Sequence, residues 1–161
     1  MSALKVRVLF VCLGNICRSP SAEGIFRSQV VAADMQHAIE ADSAGSIPFQ
    51  VGKAPDRRAQ LTARANGIEI EDLRARLVTP NDYRNFDLIV AMDESNLADL
   101  IAECPEEFKH KLSLMMTHSA TGRAVEVPDP YYGDVTFERV WSMLEDACGG
   151  LLQKIRDQQS A

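Results

Sequence analysis

Short apolar runs alternate along the chain with longer stretches whose apolar positions recur every three or four residues. The first run, VRVLFV at 6–11, is apolar apart from Arg7 and rich in β-branched side chains, the pattern of a strand buried on both faces. Beyond it, Ala22, Phe26, Val30 and Ala33 recur at helical spacing, with Ile25 widening the stripe. Ser19 is expected to cap this helix and Pro20 to take its first position, where no donor is missed. Glu23 adds favourable charge to the first turn.

Residues 38–45, AIEADSAG, read as a second strand ending at Gly45. A loop containing Pro48 and Pro55 leads to a short helix over 59–66, closed by Gly67. A short strand is expected near 74–78, another at 87–92 (DLIVAM), a helix at 94–102 and a last strand at 112–115. The clearest periodic signal comes near the end. Phe137, Val140, Trp141, Leu144, Cys148, Leu151, Leu152 and Ile155 make one apolar face, which Gly149 and Gly150 weaken in its middle. Strands alternating with helices predict an α/β fold, a parallel sheet covered on both sides. No repeat, low-complexity tract or linker divides it.

The 161 residues suit one domain with a real core, and 46% hydrophobic with 25% charged residues describes a globular chain. A net charge of −6 should repel nucleic acid and anionic membranes, so any anion site must be local. No apolar run approaches the roughly 20 residues needed to cross a bilayer. The N-terminus enters a strand without the pattern of a secretory signal, and a cytoplasmic location is expected. The four cysteines are expected to be reduced thiols rather than a disulfide scaffold.

In parallel sheets ligands bind beyond the carboxyl ends of the strands. The loop at that edge reads Cys12, Leu13, Gly14, Asn15, Ile16, Cys17, Arg18, Ser19. A nucleotide-binding loop of the Walker type needs a Gly-Lys-Ser/Thr ending, which is absent. A zinc knuckle needs a second Cys or His pair, and His37, His110 and His118 are scattered. A thioredoxin-type pair has two residues between its cysteines, not four. An anion cradle fits: loop amides opening a helix converge on a tetrahedral oxyanion, and Arg18 adds a planar fork. The same positive field favours the thiolate of Cys12, a nucleophile aimed at phosphorus. Ser19 can donate to its sulfur. Gly14 and Asn15 permit the positive φ that a curled loop needs. Cys17 reads equally as a small buried thiol and as a redox partner of Cys12.

Expelling an alkoxide or phenolate at neutral pH takes a proton donor. In EVPDPYYGD at 126–134, Asp129 is held between Pro128 and Pro130, with Tyr131 and Tyr132 following and Gly133 ending the turn. Beside a thiolate cradle it is the candidate general acid; Asp93 and Asp134 are weaker competitors.

CLGNICRS at 12–19 together with DPYYGD at 129–134 resembles the low-molecular-weight protein tyrosine phosphatase family. DSAG at 42–45, VGKAPDRRA at 51–59 and FDLIVAMDESNL at 86–97 extend the likeness over nearly the whole chain. The resemblance implies one phosphatase domain over 1–161, with a four-stranded parallel sheet between helices in a flavodoxin-like three-layer arrangement. It implies hydrolysis of phosphotyrosine and small aryl phosphates through a phosphocysteine. Cys12 is then the nucleophile, Arg18 the phosphate clamp and Asp129 the acid and later the base. Asn15, Ser19 and Ser43 support the loop, and Phe49, Tyr131 and Tyr132 line an aromatic slot. No cofactor or metal is implied.

The implied partners are phosphotyrosine-containing proteins, a tyrosine autokinase among the candidates, and inorganic phosphate or similar oxyanions. Two positions depart from the family pattern: Phe49 stands where many members have Trp, and Leu73 where mammalian members have His. An arsenate reductase would need further cysteines shuttled to the first, and Cys104 has no nearby partner. A phosphate- or phosphotyrosine-binding module without turnover is the rival from another class, although Cys12 and Asp129 are both present.

Overall fold

The computed structural model describes residues 5–122 and 124–160. In chain order it contains β1 (Val6–Cys12), α1 (Arg18–Ala32), β2 (Ile39–Gly45), α2 (Arg57–Ala65), α3 (Pro80–Asn85), β3 (Leu88–Ala91), α4 (Glu94–Glu103), β4 (Leu112–Leu114) and α5 (Phe137–Ser160). Short 3-10 turns cover Glu106–Lys111, Met115–His118 and Pro130–Tyr132.

The four strands are all parallel and lie in the order β2-β1-β3-β4. Successive side chains of β1 part to opposite faces, as strand geometry requires. Val8, Phe10 and Cys12 join the core with Phe26 of α1 and Trp141 and Leu144 of α5. Leu9 and Val11 join a second core with Tyr83, Phe86 and Leu100 on the side of α3 and α4. Burial on both faces is why β1 is apolar without a break from Val8 to Val11. The chain leaves β1 for β2 on one side, while β3 pairs on the other, so the switch in strand order falls at the carboxyl end of β1.

Several boundaries differ from the sequence expectation for physical reasons. The first helix begins at Arg18, so Ser19 does not cap it; Cys17 holds that position without a side-chain cap. Pro20 then sits in the third helical position, still within the first turn, where an N–H has no intrahelical acceptor to lose. Glu23 is not solvated at the helix start but buried against β2. The expected strand at 74–78 is reduced to a single bridge between Leu77 and Gly45. The Arg76 N–H is drawn to the Asn15 side chain, and Ala75 pairs with the 52–53 loop instead. The six-residue α3 was not anticipated, although Thr79, Pro80 and Asp82 form a capping box with proline at its start. Gly150 belongs in the middle of α5 because the helix crosses the His118 carbonyl there: a Cβ would lie 1.7 Å from that oxygen.

Candidate active site

Strand β1 delivers Cys12 to the carboxyl edge of the sheet, and residues 12–18 curl there before α1 starts. Asn15 is the residue with positive φ, +58°. Gly14 does not share that conformation; its lack of a side chain serves a close approach, since a Cβ would meet Gln50 Cγ at 3.1 Å. Gly45, ending β2 directly beneath the loop, would place a Cβ 3.0 Å from the Leu13 carbonyl oxygen. The loop is pinned from outside by Ser46 N–H on the Cys12 carbonyl and Asp56 N–H on the Ile16 carbonyl, at 3.0 and 2.7 Å.

Behind the sulfur runs a polar relay whose direction follows from donor counting. Arg76 N–H donates to Asn15 Oδ1 at 3.0 Å, which orients the amide. Asn15 Nδ2 therefore donates both to Ser19 Oγ at 2.8 Å and to Ser43 Oγ at 3.0 Å. Ser43 spends its single proton on Glu23 Oε1 at 2.7 Å. Ser19, already accepting from Asn15, has its own proton for Cys12 Sγ at 2.9 Å; the alternative acceptor, Ala44 O, is 3.5 Å away. The relay thus ends in a hydrogen bond donated to sulfur. Burial pushes the Glu23 carboxyl above its usual range, against the Ser43 hydroxyl and Arg27, whose Nη2 lies 2.7 Å away without hydrogen-bond alignment. Glu23 is thereby the far terminus of the loop's support, and Leu73 packs partly buried against the core.

Arg18 is 2% exposed. Its Nη1 bonds Asp93 Oδ2 at 2.6 Å and the Val127 carbonyl at 2.9 Å, while Nη2 reaches Asp129 Oδ2 at 3.4 Å. Nε is buried with no hydrogen-bond partner among the described residues. Burial alone would depress the guanidinium, but Cys12, Asp93 and Asp129 outweigh it and hold Arg18 charged, above its ordinary value. Asp93 does not line the cavity described below; its second oxygen caps α4 by accepting Asn96 N–H at 2.7 Å. Asp134 is exposed and does not line the cavity. Asp129 caps the Pro130–Tyr132 turn through Tyr131 N–H at 3.0 Å. Val127 ties that segment to the sheet edge by donating to the Met92 carbonyl at 2.8 Å.

These elements enclose a cavity of about 250 Å³. Cys12, Leu13, Gly14, Ile16, Cys17 and Arg18 form its floor and sides, with Phe49, Asp129, Tyr131 and Tyr132 toward the mouth. Asn15, Ser19 and Ser43 do not reach the cavity and are buried behind it. Cys12 is 3% exposed whereas Phe49 is 80% exposed, so the sulfur lies deep below an aromatic rim. All four cysteines are free and buried. Burial first, then Asp56 and Cys12, push the Cys17 thiol up. Among the described residues no cluster of three or more His, Cys, Asp or Glu side chains is arranged to hold a metal ion.

Sequence reasoning missed Glu23, Asp93 in its true role, the Arg76 amide and the Val127 carbonyl. Only the FDLIVAMDESNL stretch carried a signal for one of them, an Asp in an N-cap position directly after a strand.

The low molecular weight phosphotyrosine protein phosphatase family matches this chain over residues 7–161. The chain belongs to that family. It is therefore a protein tyrosine phosphatase, a hydrolase. The low molecular weight phosphotyrosine protein phosphatase of Gallus gallus is 39% identical over 158 residues, covering 96% of this chain and 99% of its own. Among solved structures, a protein tyrosine phosphatase from Entamoeba histolytica with Hepes in its active site has 38% identity and a TM-score of 0.92, over 96% and 99% of the two chains. A Drosophila arginine phosphatase has 32% identity and a TM-score of 0.84, over 92% and 96%.

Proposed function

We propose that residues 1–161 act as one phosphatase domain that hydrolyses phosphotyrosine in proteins, and small aryl phosphates, through a phosphocysteine on Cys12. The observation that carries this reading is the convergence of Cys12, Arg18 and Asp129 on one deep cavity, with the buried guanidinium bonded to the acid's carboxyl. The Cys12 thiolate attacks phosphorus in line. As the ester P–O bond breaks, Asp129 protonates the departing phenolate. Asp129, now a base, takes a proton from water, which attacks the phosphocysteine; the S–P bond breaks and the thiolate returns. Loop amides, Arg18 Nε and the remaining Nη2 hydrogen serve the equatorial oxygens, where charge accumulates in the transition state.

Depth selects the substrate. A phosphoryl group on an aryl ring can reach a sulfur this far below Phe49, Tyr131 and Tyr132, whereas phosphoserine is too short. Family membership does not by itself choose among phosphorylated residues, because a relative is an arginine phosphatase; the aromatic walls support tyrosine. A tyrosine autokinase is a candidate substrate, inorganic phosphate is the product, and the reactive thiol suits the cytoplasm. Cys17 serves as the resolving thiol. Once peroxide has oxidised Cys12 to a sulfenic acid, Cys17 condenses with it and water is lost. Intact mass two hydrogens lower after limited peroxide, reversed by a thiol reductant, checks this.

The test is turnover of 4-nitrophenyl phosphate, phosphotyrosine peptide and phosphoarginine by three proteins. The natural chain should turn over the first two. Cys12→Ser should abolish turnover yet retain phosphate binding. Asp129→Asn should slow substrates with poor leaving groups most. Retained turnover in Cys12→Ser, or preferential hydrolysis of phosphoarginine, would overturn the reading.

A further inference from the structure

The segment that carries Asp129 is fastened firmly at one end only. Upstream, Val127 is buried and bonded at both its N–H and its carbonyl. Downstream, Tyr131, Tyr132 and Gly133 are exposed, and Gly133 turns the chain away with φ of +86°. The bonds within residues 129–133 are local: Tyr131 N–H to Asp129, and Gly133 N–H to the Pro130 carbonyl. Among the described residues one outside side chain donates to the backbone of this turn. It is Arg58, whose Nη2 lies 3.3 Å from the Tyr131 carbonyl oxygen.

Arg58 is itself braced. Nε and Nη2 form a fork on the two oxygens of Asp56, at 3.1 and 3.0 Å, and a planar fork loses little freedom when held this way. Asp56 also caps α2, accepting Arg58 N–H at 2.8 Å. The guanidinium lies between two rings, 5.5 Å from the centroid of Tyr131 and 4.8 Å from that of Phe137. Asp56 N–H in turn holds the Ile16 carbonyl in the phosphate loop at 2.7 Å. A continuous strut therefore runs from Ile16 through Asp56 and Arg58 to Tyr131, and from the Tyr131 N–H to the Asp129 carboxyl.

We infer that Arg58 is a positioning residue for the general acid, holding the Asp129–Tyr131 turn in register with the phosphate loop. It touches neither sulfur nor phosphoryl group. Its work is to keep the Asp129 carboxyl over the leaving oxygen and the Tyr131 ring against the slot. This inference rests on the proposed acid role of Asp129. A half-exposed arginine at the start of a short helix would otherwise read as a surface charge, and its loss would cost every substrate alike or none.

The measurement is kcat/KM over a series of aryl phosphates from 4-nitrophenyl to phenyl, for the natural chain, Asp129→Asn, Arg58→Ala, Arg58→Lys and Asp56→Asn. Nitrophenolate leaves unaided, whereas phenolate needs the proton. Arg58→Ala is expected to lose about tenfold on phenyl phosphate and less than about threefold on 4-nitrophenyl phosphate, a fraction of what a displaced acid can cost. Its vanadate inhibition constant should stay within about twofold, because the phosphate loop keeps its own amides and Arg18. Arg58→Lys, which keeps charge but not fork or stacking, should recover part of the loss. Asp56→Asn keeps a good helix cap while breaking the fork, and should steepen the same dependence. Equal slowing of all substrates by Arg58→Ala, or unchanged kinetics, overturns the inference. If Asp129→Asn itself leaves the dependence flat, it is the acid assignment that fails; if Asp129→Asn steepens it and Arg58→Ala does not, only the strut fails.

Discussion

Replacing Ser19 by Ala removes the proton that the relay delivers to sulfur and leaves the loop backbone in place. The geometry sets the scale. Ser19 Oγ lies 2.9 Å from Cys12 Sγ, and both residues are buried. A hydrogen bond to a charged group contributes about 1.5–3 kcal/mol, and each ~1.4 kcal/mol is a factor of ten in rate. Departure of the thiolate from phosphocysteine is the step that develops charge on sulfur, so kcat should fall roughly 10- to 100-fold. Attack on the substrate starts from the thiolate and should lose much less, because a thiolate relieved of a hydrogen bond is also a stronger nucleophile. Stopped-flow mixing with 4-nitrophenyl phosphate reads both steps. The variant should release one equivalent of nitrophenolate in a burst and then turn over slowly. Ser43→Ala, one bond further from sulfur, should show the same pattern more weakly. A Ser19→Ala enzyme with kcat within twofold of the natural one, or with kcat and kcat/KM reduced equally and no burst, would refute the direction assigned to the relay.

The two adjacent glycines of α5 should behave oppositely. Gly150→Ala forces a Cβ to within 1.7 Å of the His118 carbonyl oxygen, and should cost about 3 kcal/mol or more in urea unfolding. Gly149 has nothing within 4 Å of that position, so Gly149→Ala should gain about 0.5–1 kcal/mol from helix propensity. His118 offers a pH test. Its ring lies between Ser113 Oγ and Lys154 Nζ, at 3.0 and 3.1 Å, and burial, then Lys154, lower it from 6.5 to about 4. Between those values the unfolded chain binds the extra proton. The stability this neutral ring contributes is therefore complete above pH 6.5 and lost as pH falls toward 4. Discounted for a half-buried ring, the loss is about 2 kcal/mol. His118→Asn should flatten the slope of stability in that window by this amount, and an unchanged slope would count against the assignment.

Periodicity and residue chemistry carried the sequence a long way here. The apolar residues 8–11 of β1 announced a strand buried on both faces, and the parallel α/β arrangement followed from the alternation of elements. The loop at 12–19 was legible because Cys12, Arg18 and the strand before them occur together at the carboxyl edge of the sheet. What the chain could not reveal by local pattern was wherever a side chain had two claimants. Ser19 looks like a helix cap, yet its hydroxyl is taken by Asn15 and Cys12. Glu23 looks solvated, yet Ser43 and Arg27 draw it inward. Residues 74–78 look like a strand, yet the Arg76 amide is diverted to Asn15.

By itself the sequence determined the alternation of strands and helices, the loop at 12–19 and the carboxyl held between two prolines, since these depend on spacings of a few residues that survive in one dimension. Only the tertiary structure decided which donor faces which acceptor: that Asp93 clamps Arg18, that Glu23 ends the relay, and that Asp56 and Arg58 join the loop after β1 to the Asp129–Tyr131 turn. Hydrogen bonds between residues 20 to 75 positions apart have no periodic signature, because their partners are chosen by the packing of strands and helices that bring them together.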